Sequence, residues 1–150
     1  MENGRIGYRS YWVAYFDLLG FTNMVEGERE VWPILLEVYE PLLTEIETRF
    51  KDVQCKWFSD TLVFYTPDHS KTSWDGIVNV CESFFYRTIE RQIPARGCLS
   101  VGDFYAEDDV LIGPALIDAY RLAECQDWLG FVLSPEAVRR RDQYGIRRDY

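Results

Sequence analysis

The segment that most constrains the fold is an apolar run that ends in an acid and a glycine turn. The run, residues 12–16, is typical of a β-strand, and Asp17 follows it directly. Gly20 then permits a tight turn, after which a helix is predicted to begin near Phe21. The backbone amides of Gly20, Phe21 and Thr22 would point outward from that helix, where phosphate oxygens bind well. The segment therefore predicts half of a site for a metal-bound triphosphate.

A second acid, Asp60, is predicted to supply the other half of that site. Two short runs rich in aromatic and β-branched residues, 56–58 and 61–65, flank Ser59 and Asp60, which is typical of a β-hairpin with an acid at its turn. Two aspartates on neighbouring strand ends could bridge Mg²⁺ or Mn²⁺ ions, which prefer hard oxygen ligands. Either aspartate alone would be interpreted as a turn or cap residue. The presence of both favours the metal site.

Composition limits the classes of function. The 150 residues are enough for one domain with a real core. A net charge of −9 argues against general binding to nucleic acid or to an anionic membrane. The sequence shows neither a signal peptide nor a membrane span. The cysteines are widely spaced and form no CxxC pair, so reduced thiols in a cytoplasmic protein are expected.

Hydrophobic periodicity predicts the order of the secondary-structure elements. Residues 1–10 are expected to be a loosely held lead-in, and residues 11–150 to form the folded domain. Long helices are predicted over residues 30–50 and 74–91, and Pro41 should kink or split the first of them. The order β, α, α, β, β, α, β, β, α, β, α suits an α+β fold with an antiparallel sheet of the ferredoxin-like kind.

Four pieces of the chain together resemble a class III nucleotidyl cyclase homology domain. They are the run Phe-Asp-Leu-Leu-Gly-Phe-Thr at residues 16–22 and the segments 56–60, 96–102 and 113–121. The first is quite specific, and the others gain weight from their order and spacing. The resemblance covers residues 11–134 and implies the fold of that family, a ferredoxin-like antiparallel sheet with helices packed on it. It also implies a further terminal strand, which in the family often brings a phosphate-contacting lysine and which would come after Tyr150.

The resemblance implies a role for each candidate site residue. Asp17 and Asp60 would hold two divalent metal ions, Mn²⁺ or Mg²⁺, with the backbone carbonyl of Leu18 as a further ligand. Arg121 would be the catalytic arginine that meets charge on the transition state. In the family this arginine and the metal aspartates come from opposite protomers, which implies a homodimer with composite sites. The triphosphate would be bound by Gly20, Phe21, Thr22 and Arg96.

Several of these residues have an ordinary structural interpretation as well. Arg121 could be an exposed helix charge that pairs with Asp118 or Glu124 on the surface. Single aromatic residues at strand spacing are more often core than ligand contacts. The cyclase interpretation depends on the motifs occurring together.

The base pocket departs from the family's pattern. Lys56 lies where adenylyl cyclases have a lysine that contacts the base, but Val110 replaces the partnering aspartate. Ile117 replaces the asparagine that orients the ribose. The candidate base-binding residues are therefore Lys56, Trp57, Phe58 and Val110, and the bulky aromatic side chains would suit a smaller base.

A compact cyclase-like domain with these runs most resembles the bacterial pyrimidine cyclases of Pycsar antiphage signalling. The resemblance implies conversion of UTP or CTP, with UTP preferred, to the 3′,5′-cyclic monophosphate and pyrophosphate. A separate effector protein would read the product, and neither nucleic acid nor a membrane is expected as a partner. Two alternatives remain open: an adenylate or guanylate cyclase, which Lys56 favours, and a catalytically silent nucleotide-binding dimer module, which Ile117 favours.

Overall fold

The fold is organised around a central sheet with helices on both of its faces. The structure, a computed structural model, describes residues 9–27 and 30–146. The order of its elements matches the predicted order, and the predicted α+β fold is confirmed. In the described residues the elements are β1 (Arg9–Leu18), α1 (Phe21–Glu26), α2 (Val31–Arg49), β2 (Gln54–Phe58), β3 (Thr61–Tyr65), α3 (Lys71–Glu90), β4 (Ala95–Glu107), β5 (Val110–Ile112), α4 (Pro114–Glu124), β6 (Gly130–Leu133) and α5 (Pro135–Gln143).

The sheet has a central strand, β1, that carries Asp17 near its end. The strands lie in the order β2, β3, β1, β4, β5, and neighbours along this path are antiparallel. β6 runs parallel to the first half of β4, with Arg96 opposite Gly130. Asp17 lies between Thr61 of β3 and Arg96 of β4. Because directly opposed residues project to the same face of a sheet, these three side chains share one face.

Each face of β1 packs into its own core. Trp12, Ala14 and Phe16 face the side covered by α2 and α3, whereas Val13 and Tyr15 face α4. α4 lies close against the sheet because it presents a stripe of small buried residues: Ala115, Ala119 and Ala123. By the same alternation, Asp17 projects to the α4 face.

Two sequence-based boundaries differ from the structure. β1 begins at Arg9, so Arg9 and Ser10 belong to the sheet, and the rest of the predicted lead-in lies outside the described residues. Pro41 does not split the first long helix, since α2 is one helix from Val31 to Arg49. Pro41 costs a backbone hydrogen bond, but the buried side chains along α2, with Leu42 fully buried, keep the helix on the core.

The four cysteines are distributed between the core and the surface. Cys55, Cys81, Cys98 and Cys125 are free thiols, and Cys81 and Cys98 are buried. Burial raises the pKa of the Cys98 thiol to about 12, which suits core residues rather than reactive or metal-binding ones. Within residues 9–27 and 30–146, every helix is too short or too polar to cross a membrane.

Candidate active site

Asp17 and Arg96 form a partly buried ion pair between β1 and β4. The Nε of Arg96 donates to Oδ1 of Asp17 at 3.0 Å and to Oδ2 at 3.2 Å, and Nη2 donates to Oδ2 at 3.1 Å. Only 19% of the Arg96 side chain and 13% of the Asp17 side chain are exposed. These hydrogen bonds raise the pKa of the Arg96 guanidinium. Such a two-pronged contact is among the strongest polar interactions in proteins and fixes both side chains.

The other end of Arg96 holds the C-terminus of α4. Its Nη1 donates to the backbone carbonyls of Glu124 and Gln126, both at 3.1 Å. Carbonyls at a helix C-terminus have no partner within the helix, so Arg96 supplies one. The buried side chain of Gln126 adds a second link, because its Nε2 donates to the carbonyl of Gly97 at 2.9 Å. Arg96 and Gln126 together join the strand beside Asp17 to the helix that carries Arg121.

Asp60 lies next to the end of β1, as the hairpin prediction requires. It is in the turn between β2 and β3, and its backbone carbonyl accepts a hydrogen bond from the amide of Leu18 at 2.8 Å. Its Oδ1 accepts a longer hydrogen bond from Thr61 Oγ1 at 3.4 Å. Thr61 is in turn the direct neighbour of Asp17 across the sheet. The structure therefore brings together the ends of the two strands that bear the carboxylates.

Two tyrosines and a glutamate, which sequence reasoning did not select, extend this group on the α4 face. The ring of Tyr15 contacts the ring of Tyr120 edge-on, with centroids 5.4 Å apart. Burial raises the pKa of the Tyr15 phenol, a hydrogen bond with Thr61 lowers it, and the carboxylates of Asp17, Glu124 and Asp60 raise it. A hydrogen bond with Glu124 raises the pKa of Tyr120.

The sequence does contain signals for these residues. Tyr15 precedes Asp17 by two residues on a strand, which puts both on one face, and Tyr120 and Glu124 are one helical turn apart. Nothing in the sequence predicts that the Tyr15–Asp17 pair lies next to the Tyr120–Glu124 pair.

The donor set fits a divalent metal ion that arrives with a phosphate ligand. In the described part of the chain there is no group of three or more histidine, cysteine, aspartate or glutamate side chains that could hold a metal by itself. Mg²⁺, however, is commonly bound by one or two carboxylates with water and substrate phosphates completing its shell. Asp17 and Asp60 provide two such carboxylates. A metal ion would have to share the Asp17 carboxylate with Arg96.

The turn after β1 has the predicted form. Gly20 precedes α1 and has φ 67°, a left-handed conformation that favours glycine. Gly20 itself is exposed. No side chain caps α1, and its first turn contains no acid. Phe21 is half-buried and Thr22 is exposed. The first amides of α1 have no acceptor inside the helix, so they are available to an anion.

Arg121 lies on the exposed face of α4. Its neighbours Ala119 and Ala123 are buried against the sheet, whereas Ile117, one turn earlier on the same face as Arg121, is 47% exposed. The ion pairs found among the described residues do not include Arg121, so the surface pair with Asp118 or Glu124 is not formed. Arg121 is therefore an exposed side chain without an ion pair among the described residues.

The candidate base-binding residues are not all together. Lys56 and Phe58 of β2 are exposed, and they oppose Val63 and Thr61, which face the α4 side. Trp57 points to the opposite face, where its ring contacts Tyr39 with centroids 4.9 Å apart. The structure thus separates Trp57 from Lys56 and Phe58, because successive strand residues alternate between faces.

Val110 is distant from the other base-binding candidates within one chain. It is exposed on β5, at the opposite edge of the sheet from β2. Four strand spacings separate β2 from β5, which corresponds to roughly 19 Å. Lys56 and Val110 can therefore contact one ligand only if they come from two copies of the chain.

The chain has the fold of nucleotidyl cyclase domains in solved structures. The guanylyl cyclase Cya2 is similar with a TM-score of 0.72 at 13% identity, covering 89% of this chain and 79% of that one. The adenylyl cyclase CyaB from P. aeruginosa gives 0.71 at 15% identity, covering 91% and 82%. The guanylate cyclase domain of RhGC from Catenaria anguillulae, in complex with GTP, gives 0.67 at 17% identity, covering 89% and 82%. No protein-family model and no curated protein sequence matches the chain. At these identities the likeness establishes the cyclase homology fold.

Proposed function

We propose that the chain is a nucleotidyl cyclase that converts a nucleoside triphosphate to its 3′,5′-cyclic monophosphate and pyrophosphate. The observation that carries the proposal is the placement of Asp17 and Asp60 at adjoining strand ends, beside the glycine turn before α1. Arg96 already pairs with Asp17, whereas none of the ion pairs among the described residues includes Asp60, so the Asp60 carboxylate is open to a metal ion. The residue types suit a metal-bound triphosphate.

The proposed reaction exchanges one phosphorus–oxygen bond for another. The 3′-oxygen of the ribose bonds to the α-phosphorus while the bond to the bridging oxygen breaks, pyrophosphate leaves, and the hydroxyl proton passes to solvent. Asp17, Asp60 and the carbonyl of Leu18 would hold two divalent ions, which when bound would acidify the ribose hydroxyl and stabilise the leaving group. Arg121 would stabilise charge on the α-phosphoryl oxygens, because its guanidinium is planar and always charged.

The triphosphate would be held by the turn and by Arg96. The amides of Gly20, Phe21 and Thr22, at the start of α1, would donate to phosphate oxygens. Arg96 has less freedom, because Asp17 and the end of α4 already occupy four of its five N–H donors. Arg96 would therefore contact a phosphate with its remaining donor, or after releasing one of its present partners.

The proposed protein is a homodimer with composite sites, an arrangement that suits the positions of Arg121, Lys56 and Val110. Arg121 is exposed and unpaired with the described residues, and Lys56 and Val110 are on opposite edges of one sheet. A twofold partner could bring the β5 edge and α4 of one copy to the β2 edge of the other. This surface carries exposed apolar side chains that a partner would cover: Phe58, Val110, Ile112, Ile117 and Tyr120.

The substrate we propose is a pyrimidine nucleoside triphosphate, UTP in preference to CTP. Lys56 and Phe58 would contact the base, with Val110 from the partner copy, and Trp57 is left out because it faces the core. Replacement of an aspartate by Val110 removes an acceptor that a purine amino group would use. The preference for UTP and a role in antiphage signalling, with a separate effector that reads the product, depend on the sequence resemblance.

A purine cyclase is the second candidate. The observation in its favour is Lys56, whose exposed ammonium could donate to a purine ring nitrogen. Product analysis with each nucleotide distinguishes the two candidates.

Substitution of Asp60 by alanine tests whether the site is catalytic. We expect Asp60→Ala to retain the fold and to lose Mn²⁺-dependent turnover, because one of the two metal carboxylates is gone. The matched control is Asp52→Ala, which removes an exposed turn acid at the far end of β2. A silent module would instead show no nucleotide turnover in the unsubstituted protein. Equal turnover in Asp60→Ala and Asp52→Ala would refute the proposed metal site.

A further inference from the structure

A cavity of about 330 Å³ lies behind the Asp60 hairpin, between α2 and the edge strand β2. Its walls include Phe21, Trp32, Leu35, Tyr39, Trp57 and Ser59. Trp57 points to the face of the sheet opposite Asp17, so the cavity is separate from the carboxylate site. Of the residues proposed for the active site, Phe21 and Trp57 line it, and Trp57 projects to the face opposite Lys56 and Phe58.

The lining of this cavity selects for a neutral ligand with aromatic rings. It contains the rings of two tryptophans, a tyrosine and a phenylalanine and no charged side chain. The rings of Tyr39 and Trp57 stand nearly perpendicular, at 80°, and so offer a face and an edge to a third ring. A nucleotide would find no cation for its phosphates here. The volume falls at the lower end of the range of small-molecule sites.

We infer that this cavity binds a neutral small molecule with two or three aromatic rings, which would bias the geometry of the neighbouring site. The effect on the neighbouring site rests on the proposed function, whereas the binding itself does not. The indole N–H of Trp57 already donates within the chain, so a ligand need not supply an acceptor for it.

The walls connect the cavity to both halves of the proposed active site. Trp57 Nε1 donates to the backbone carbonyl of Ser59 at 2.8 Å. Ser59 has φ 54°, a left-handed conformation that is strained for a serine, and it directly precedes Asp60. Phe21, on another wall, directly follows Gly20 at the start of α1. A ligand that moves the Trp57 ring or the Phe21 ring therefore moves the turn of Asp60 or the turn of Gly20.

Binding is tested first, without nucleotide or metal, with the neutral fluorescent probe N-phenyl-1-naphthylamine. We expect saturable binding of one probe per chain, with quenching of tryptophan emission by energy transfer, because two tryptophans line the cavity. Leu36→Trp, at the cavity wall, should fill the space and weaken binding by at least about tenfold. Leu129→Trp adds the same side chain at an exposed loop position and should leave binding unchanged.

Each outcome of this titration decides the inference. Absence of saturable binding, or equal binding in Leu36→Trp and Leu129→Trp, would overturn it. Leu36→Phe serves as a smaller filling substitution if Leu36→Trp does not fold. Probe affinity that falls as protein concentration rises would show that a second copy covers the cavity instead, which would also overturn it.

Turnover is measured second, as a separate readout. The probe should change the turnover of the unsubstituted protein and have at least about tenfold less effect at equal concentration on Leu36→Trp. Binding without any change in turnover would overturn the proposed effect on the active site, whereas the assignment of the cavity as a binding site would stand. Binding to a protein that turns over no nucleotide would refute the proposed function while the cavity assignment stands.

Discussion

The guanidinium of Arg96 is bound on one side to the carboxylate of Asp17 and on the other to the end of α4. The shorter Nε–Oδ1 distance is 3.0 Å, and the two carbonyls at the helix end are each 3.1 Å from Nη1. One residue therefore connects the proposed metal carboxylate to the helix that bears Arg121. Arg96 therefore ties the position of Asp17 to the end of α4 through charged hydrogen bonds, and only 19% of its side chain is exposed.

Removal of Arg96 should destabilise the fold. Arg96→Ala leaves the Asp17 carboxylate partly buried without its partner and leaves two helix carbonyls unsatisfied, so we expect a loss of about 3 kcal/mol in the free energy of unfolding. Arg96→Lys keeps the charge but not the fork and should lose about 1 kcal/mol. Urea denaturation measures both. Arg139→Ala, which breaks an exposed pair with Glu136 on α5, is the control and should cause no measurable change. Wild-type stability of Arg96→Ala would contradict the structural role.

Mixing two inactive variants tests the composite site. Asp60→Ala and Arg121→Ala should each be inactive alone, since each removes one residue type from both sites of a dimer. In an equimolar mixture that exchanges subunits, half of the dimers combine one chain of each kind and carry one intact site, so about a quarter of the wild-type turnover should return. No recovery after verified subunit exchange would show that the two residues act within one chain.

The exposed apolar face of α4 should hold the dimer together. Ile117 is 47% exposed and Ile112 is 39% exposed in the single chain. We expect Ile117→Asp to sediment as a folded monomer, because a charge would be buried at the interface without a partner. Ile89→Asp places the same charge at an exposed position of α3 and should remain dimeric. A dimeric Ile117→Asp would move the interface to another surface.

Asp68 should make stability depend on pH in the acid range. Hydrogen bonds with the side chains of Ser70 and Ser73 and with the Ser70 amide lower the pKa of the Asp68 carboxyl. Ser73 Oγ donates to its Oδ1 at 2.7 Å, and the Ser70 amide donates to the same oxygen at 2.9 Å. A carboxyl whose pKa is lower in the folded state stabilises the fold above its unfolded pKa, and that stabilisation is lost as pH falls through the folded pKa.

Thermal unfolding of Asp68→Asn measures this contribution. The substitution should lower the melting temperature at pH 7, and the difference from wild type should shrink as pH falls below about 4. Asp103→Asn, at an exposed position of β4, is the control and should show no such trend. A constant difference between Asp68→Asn and wild type across pH would assign the effect to the amide rather than to the charge.

The order of elements could be predicted because it depends on local pattern. The bounds of α1 and β6 follow from the glycine turns and the capping Ser134, which accepts a hydrogen bond from the amide of Ala137. The extent of β1 was underestimated at its start, since Arg9 and Ser10 pair with β4 although they are polar. Polarity at a strand end carries little information about pairing, because such residues are exposed in either state.

The sequence predicts those parts of the site that lie within one segment of the chain, but not the contacts between distant segments. Asp17 and Asp60 were identifiable because each ends a strand and adjoins a turn residue. The contact of Arg96 with Asp17 joins residues 79 positions apart, and the register that opposes them is set by the whole sheet. The sequence places Trp57 with Lys56 and Phe58, because alternation in β2 does not indicate which face of the strand packs on the core. The packing of Tyr39 from α2 decides that question.

The most direct test of the account is incubation of the purified protein with ATP, GTP, CTP and UTP, each with Mn²⁺ and with Mg²⁺, followed by chromatographic separation and mass measurement of the products. We predict a cyclic pyrimidine monophosphate and pyrophosphate, from UTP more than from CTP, abolished in Asp60→Ala. A cyclic purine product would contradict the pyrimidine assignment and retain the cyclase. No product from any of the four nucleotides, from a protein shown to be a folded dimer, would contradict the central claim.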